Sequence, residues 1–189
     1  VSYALFKLFS DRKKALVVSV LVIGLLGTGA YLRNRVWRSP ISLWADSASK
    51  NPQNPRAHSS LAAALLDKGR VEDAVEHCTR ALRNEPRHAN AHYNLGIARS
   101  RQGRHEEAIQ AFSETIRLKP RFVAAHMNLG VAFFQTGKTE EAVEEFREAL
   151  QLRPGYYKAH HHLGLALARQ ACGATRAVRW MERCGAGPC

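Results

Sequence analysis

Residues 89–120 read ANAHYNLGIARSRQGRHEEAIQAFSETIRLKP, and residues 123–154 read VAAHMNLGVAFFQTGKTEEAVEEFREALQLRP. Laid over each other, the two lines share His92 with His126, Asn94 with Asn128, Gly96 with Gly130, Gly103 with Gly137 and Phe112 with Phe146, always 34 residues apart. Working outward, Pro52, Pro86, Pro120 and Pro154 keep that spacing, as do Leu61, Leu95, Leu129 and Leu163, and Gly69 and Ala74 extend the glycine and alanine registers to the N-terminal side. Independent registers at one period define a tandem array of units 55–88, 89–122 and 123–156, with a partial unit at 157–170. Within a unit the apolar residues recur at helical spacing. Ala142, Val143, Phe146, Ala149 and Leu150 share one face, while Glu140, Glu141, Glu144, Glu145 and Glu148 point largely elsewhere. No segment alternates as a strand does, so the array is all-α.

Each marker has a steric task. The leucines are core knobs of a first helix, followed by a small residue (Ala62, Gly96, Gly130 or Gly164) that lets a second helix approach. Gly69, Gly103 and Gly137 fall where the chain must turn with positive φ. Cys78, Phe112 and Phe146 fill the space between helices, and each proline closes its unit. This pattern resembles the tetratricopeptide repeat, two antiparallel helices per unit. The resemblance implies a right-handed α-solenoid of about 3.5 repeats whose first helices line a concave, peptide-binding face.

The 28 Lys and Arg outnumber the 16 Asp and Glu, but unevenly. Residues 1–54 hold eight basic and two acidic residues, residues 55–154 fifteen and thirteen, and residues 155–189 five and one. The excess lies outside the repeats, so nucleic acid is not an expected partner. Much of it flanks residues 15–32, ALVVSVLVIGLLGTGAYL, which carry no charge. At 1.5 Å per residue this run spans about 27 Å, close to a hydrocarbon core, with Tyr31 and Trp37 as interfacial anchors. The sequence therefore predicts a basic segment 1–14, a single transmembrane helix 15–32, and a membrane partner. A cleaved signal peptide ending at the small residues Thr28-Gly29-Ala30 is the alternative. Lys7, Arg12, Lys13 and Lys14 precede the run, against Arg33, Arg35 and Arg38 after it, which slightly favours a non-cytoplasmic array.

Residues 33–54 form a juxtamembrane linker with a short helix, Ile41–Lys50, opened by Pro40 and capping the array through Trp44, which stands 34 residues before Cys78. At the other end Ala171 stands where a turn glycine is due, so residues 171–189 read as an irregular tail. Within it Ala174–Cys184 can form a closing helix, with Val178 and Met181 apolar and Arg176, Arg179 and Arg183 solvated, and residues 185–189 fray.

Carrying over the resemblance, the groove-facing positions are Arg56, Asn90, Tyr93, Asn94, Arg101, Met127, Asn128, Gln135, Lys158 and Arg169. Asn94 and Asn128 lie in Asn-Leu-Gly triplets, where similar repeats use an amide, donor and acceptor at once, to hold a peptide backbone. Ser60 and His162 replace asparagine in the outer units. The expected partner is a protein or peptide, with no cofactor and no metal. His58, His92, His126 and His160 share one register, but packed first helices stand about 10 Å apart, too far for neighbouring rings to share an ion. These histidines read as packing residues. Ala132–Thr139 fits a relaxed phosphate-loop pattern, yet it ends a helix and enters a turn, without the strand that the loop requires. No catalytic constellation is present: Cys78 is core filler, and Cys172, Cys184 and Cys189 have no activating base nearby in sequence.

Arg33-Asn34-Arg35-Val36-Trp37-Arg38, Leu43-Trp44-Ala45-Asp46 and Arg56-Ala57-His58 resemble the junction between the last membrane helix and the repeats in transmembrane-and-tetratricopeptide proteins. Eukaryotic members are protein O-mannosyltransferases with repeats on the lumenal side. Their catalytic acids lie in an early loop of a multi-spanning region that has no counterpart here, so no catalytic residue carries over. Two readings follow: a membrane-anchored adaptor that binds peptides, or the C-terminal substrate-docking part of a membrane glycosyltransferase.

Overall fold

A computed structural model describes residues 16–26, 28 and 39–184, with residues 173–184 described by backbone alone. The expectations for the basic segment 1–14, for residues 15, 27 and 29–32 of the apolar run, for the linker 33–38 and for the tail 185–189 lie outside the described residues, as do the side chains expected to solvate a closing helix.

Eight helices follow from residue 40 onward: α1 Pro40–Lys50, α2 Pro55–Asp67, α3 Val71–Asn84, α4 Ala89–Arg101, α5 His105–Leu118, α6 Val123–Gln135, α7 Thr139–Leu152 and α8 Tyr157–Cys184. The first helices of successive units, α2, α4, α6 and α8, begin 34 residues apart. Local chemistry starts each helix. Ser39 caps α1, its hydroxyl accepting from the Ser42 N–H, and Asn54 caps α2 by accepting from Arg56 and Ala57; a proline occupies the first turn of both. The second helices α3, α5 and α7 open on acidic pairs, Glu72 and Asp73, Glu106 and Glu107, Glu140 and Glu141, which suit the positive end of a helix.

Between paired helices the backbone turns at Gly69, Gly103 and Gly137, with φ of 75°, 74° and 82°. The following residue donates its N–H back across the turn: Arg70 to Leu65 (3.0 Å), Arg104 to Arg99 and Lys138 to Phe133 (both 2.9 Å). This closure satisfies the end carbonyls of the first helix and needs a left-handed residue that glycine supplies most readily. Gly137 of the phosphate-loop look-alike is thus the third copy of a structural turn.

Where the array departs from the sequence reading is its C-terminal end. Residues 171–184 do not form an irregular tail with a separate closing helix; α8 runs on to Cys184. The cause is the residue missing from the turn. Ala171 and Cys172 keep helical geometry where glycines reverse the chain in the earlier units.

Each first helix touches the next (α2 with α4, α4 with α6, α6 with α8), whereas among the described residues the second helices α3, α5 and α7 do not touch one another. First helices therefore lie on the inner, more tightly curved side. The core runs continuously between the layers. Phe112 and Phe146 are fully buried, and their rings close over Gly96 and Gly130. At the N-terminal edge Ile41, Trp44 and Ala48 of α1 pack on Leu61, Leu65 and Leu66, so α1 covers what an absent preceding repeat would.

The register histidines fasten neighbouring units. His58, His92, His126 and His160 each donate Nε2–H to a proline carbonyl six residues upstream, Pro52 (2.9 Å), Pro86 (2.8 Å), Pro120 (2.8 Å) and Pro154 (2.7 Å). Packing alone understates their role. Each satisfies the carbonyl of a residue that ends one unit, using a side chain in the first turn of the next.

Among the described residues no helix is long and apolar enough to cross a membrane. Residues 16–26 are helical, about 16 Å in length, and Leu16, Val20, Ile23 and Leu26 are exposed. That described length is roughly half of what the single-span expectation over 15–32 requires.

Candidate functional site

The inner face sorts the sequence-predicted residues into three groups. The first group ties first helices together. Asn94 is buried, and its amide donates to the Ser59 carbonyl (2.9 Å). Asn128 donates to the Tyr93 hydroxyl (3.1 Å). Arg101 donates to the Leu66 carbonyl, and Arg169 to the Phe134 carbonyl (2.8 Å) while its guanidinium lies 4.4 Å from the Phe134 ring centroid. All four bonds join residues 35 apart, one position on from the repeat period. They set the spacing of the inner face, and the amide donors expected to face a peptide are engaged within the array.

The second group belongs to the interior. Met127 is buried with Val143 and Phe146 rather than facing the groove, because this register sits at the boundary between the inner face and the helix pair. Tyr93 shares that register and is half-buried, its ring 4.7 Å from that of Phe122 and 5.9 Å from that of Phe112. Burial raises its phenol pKa above the ordinary 10.0.

The third group is exposed: Arg56, Asn90, Gln135 and Lys158. Arg56 and Asn90 line a cleft of about 660 Å³ with Ser60, Glu85, Arg87 and Lys119. A second cleft of about 450 Å³ adjoins it, lined by Asn90, Lys119, Pro120, Arg121 and Phe122. Lys119 spans the two and donates its ammonium to Asn90 Oδ1 (3.1 Å). Arg87, Lys119 and Arg121 come from the turns between units and were not among the residues singled out from sequence. Their signal was present as the basic residues beside Pro86 and Pro120. The 660 Å³ cleft carries three cations against the single carboxylate of Glu85, which faces His88 Nδ1 at 3.0 Å. The other nitrogen of His88 is buried with no hydrogen-bond partner. α4 and α6 begin here without side-chain caps, which adds the partial positive charge of two helix ends. One cleft can therefore hold an anion, and the other offers the Phe122 ring and the Pro120 side chain to an apolar group.

Catalytic chemistry finds no such convergence. The Cys78 thiol is buried between helices, and desolvation pushes its pKa up to about 12, far from a reactive thiolate. Among the described residues no three His, Cys, Asp or Glu side chains are grouped to hold a metal ion.

Comparison with known proteins bears on the repeat and on its surface. The tetratricopeptide repeat family profile matches residues 30–89, 62–121 and 93–157, more than half of the chain. No curated protein matches the chain in sequence. Among solved structures, MamA from Desulfovibrio magneticus RS-1 is similar at 22% identity, over 83% of this chain and 90% of that one, with a TM-score of 0.66. The second such domain of human RPAP3, solved in complex with an HSP70 peptide, is 25% identical over 60% of this chain and 98% of that one, with a TM-score of 0.56. The O-GlcNAc transferase of Thermobaculum terrenum is 29% identical over 60% of this chain, but the match spans only 22% of the enzyme, with a TM-score of 0.58.

Proposed function

The chain belongs to the tetratricopeptide repeat family, and from that premise we propose that it is a peptide-binding adaptor whose inner face takes an extended segment with acidic residues and an adjacent apolar side chain. The observation that carries this is the pairing of the two clefts. Arg56, Arg87 and Lys119 surround an anion-sized space with one opposing carboxylate, and Phe122 lies in the wall of the next. The RPAP3 domain, seen with an HSP70 peptide, supports a peptide as the occupant. The ties from Asn94, Arg101, Asn128 and Arg169 hold the face rigid, which lowers the entropic cost of ordering a ligand on it.

The test is a titration of the full chain, in detergent micelles, with a fluorescent peptide carrying two acidic residues beside an apolar one. Binding that weakens as salt is raised from 50 to about 300 mM supports the proposal, because exposed charge pairs are screened on that scale. Equal binding of the lysine-substituted peptide contradicts it.

The anchor belongs to the same proposal. Residues 15–32 hold the array at a membrane, with the repeats on the non-cytoplasmic side; the uncharged run and the exposed leucines and valines of 16–26 support this. Retention in the membrane pellet after alkaline carbonate extraction is the expected result, and release into the supernatant overturns it. The second reading, a substrate-docking part of a membrane glycosyltransferase, is favoured by the junction string at 33–46 and by the partial likeness to O-GlcNAc transferase. An open reading frame upstream of Val1 encoding further hydrophobic spans selects it over the adaptor.

A further inference from the structure

The first and third repeats place different partners against the register histidine. In both, the ring donates Nε2–H to a proline carbonyl, which leaves Nδ1 of the neutral ring as an acceptor. In the third repeat Nδ1 of His126 lies 2.7 Å from Glu145 Oε2 on α7. In the first, Nδ1 of His58 lies 3.0 Å from Nδ1 of His77 on α3. Both partners stand 19 residues further on. The second repeat has Ala111 at this position, and no such pair forms.

The geometry of the first pair fixes what it shares. Its ring centroids are 5.3 Å apart and its ring planes differ by 21°. A ring nitrogen lies about 1.15 Å from its centroid, so a 3.0 Å contact between collinear nitrogens gives about 5.3 Å. The rings thus meet edge to edge along one line. A metal ion needs both lone pairs to converge on a point off that line, at about 2.0–2.1 Å from each nitrogen, so this is not a metal cradle. It is a hydrogen bond carrying one proton, donated by His77 to His58. A second proton puts two N–H groups face to face and adds like charge to a buried ring.

We propose that the His58–His77 pair is an acid-sensitive joint between the two helices of the first repeat, and that the His126–Glu145 pair makes the third repeat respond in the opposite sense. Acid then loosens the unit that carries Arg56 and lies against α1, while the unit carrying Glu145 tightens. The charged groups acting on His77 are His58 across the joint and Asp73, Glu76 and Arg80 on its own helix. Asp73 is paired with Arg70, and Glu76 with Arg80, so neither carboxylate is free to compensate a second proton. His126 responds to Glu145, the Pro120 carbonyl and Glu148.

Burial and the neighbouring His58 hold the His77 pKa below its ordinary 6.5. Its contribution to stability is present above pH 6.5 and is lost as pH falls below that value. The Glu145 hydrogen bond raises the His126 pKa above 6.5, so its contribution is full below pH 6.5 and is lost as pH rises through the higher folded-state value.

The experiment is hydrogen exchange by mass spectrometry on the full chain in micelles at pH 7.5 and 5.5, corrected for the intrinsic pH dependence of exchange. Amides of α2 and α3 should open severalfold more at pH 5.5, while those of α6 and α7 open less. His77→Glu gives the first repeat the pairing of the third and should reverse its response. Parallel behaviour of the two repeats, or acid lability that survives in H77E, overturns the proposal. The readout needs no peptide, so its failure is distinct from failure of the peptide-binding proposal.

Discussion

Phe146→Ala is expected to lower the unfolding free energy by about 3–5 kcal/mol, a large share of the stability of a small repeat array. The ring is wholly buried, in a cluster with Met127, Ala142 and Val143. Its removal leaves a cavity walled by two rigid helices that cannot close over it. The reason for the size of this effect is the glycine beneath. A Cβ on Gly130 would stand 2.6 Å from Cε1 of Phe146, and one on Gly96 would stand 2.6 Å from Cε1 of Phe112. The helices have approached until nothing but the ring lies between them. Gly130→Ala alone should therefore be unfavourable by about 1–2 kcal/mol, because overpacking outweighs the roughly 1 kcal/mol that alanine gains in helix propensity. The first repeat contains the compensated form, Ala62 with Cys78. The double variant Gly130→Ala with Phe146→Cys reproduces it, and should be more stable than the sum of the two single changes by at least about 1 kcal/mol. Urea unfolding followed by circular dichroism measures all three; strict additivity would show that glycine and ring do not pack as described.

The second large effect is on binding. Arg56→Glu together with Lys119→Glu should weaken an acidic peptide by at least about 100-fold, since each reversal replaces an attraction with a repulsion in a partly enclosed cleft. Both side chains are at the surface, Arg56 exposed and Lys119 largely so, and neither belongs to the core. The thermal midpoint should accordingly move little. A basic peptide should gain affinity for the doubly reversed chain, which distinguishes a change of charge from a loss of fold. Comparable acidic-peptide affinity in the variant would remove the clefts from the account.

The repeat was legible because every marker has a single steric cause that does not depend on distant residues. A turn with φ near 75° calls for Gly69 wherever the array sits, and a bulky Phe112 calls for Gly96 opposite. The inner face was less legible. Asn94 and Asn128 have the amides that suit a peptide backbone, but an amide serves equally well against the preceding helix. The sequence records the register and not which neighbour takes the hydrogen bond. Met127 reads as a groove residue by register, yet an unbranched thioether bends into the gap beside Phe146. The clefts escaped notice because attention fell on helix positions, whereas Arg87, Lys119 and Arg121 lie in the turns between units. At the C-terminal end the missing glycine was visible, but its consequence was misread: without a residue that reverses the chain, the helix continues.

Where a bound peptide sits tests the central claim most directly. An acidic peptide carrying a photo-reactive phenylalanine beside its carboxylates should cross-link, on irradiation with the full chain, to the first helices and the turns around Asn90 and Lys119. Mass spectrometry of the digested adduct locates the attachment. Cross-links confined to the second helices α3, α5 and α7 would place the ligand on the outer surface and contradict the account.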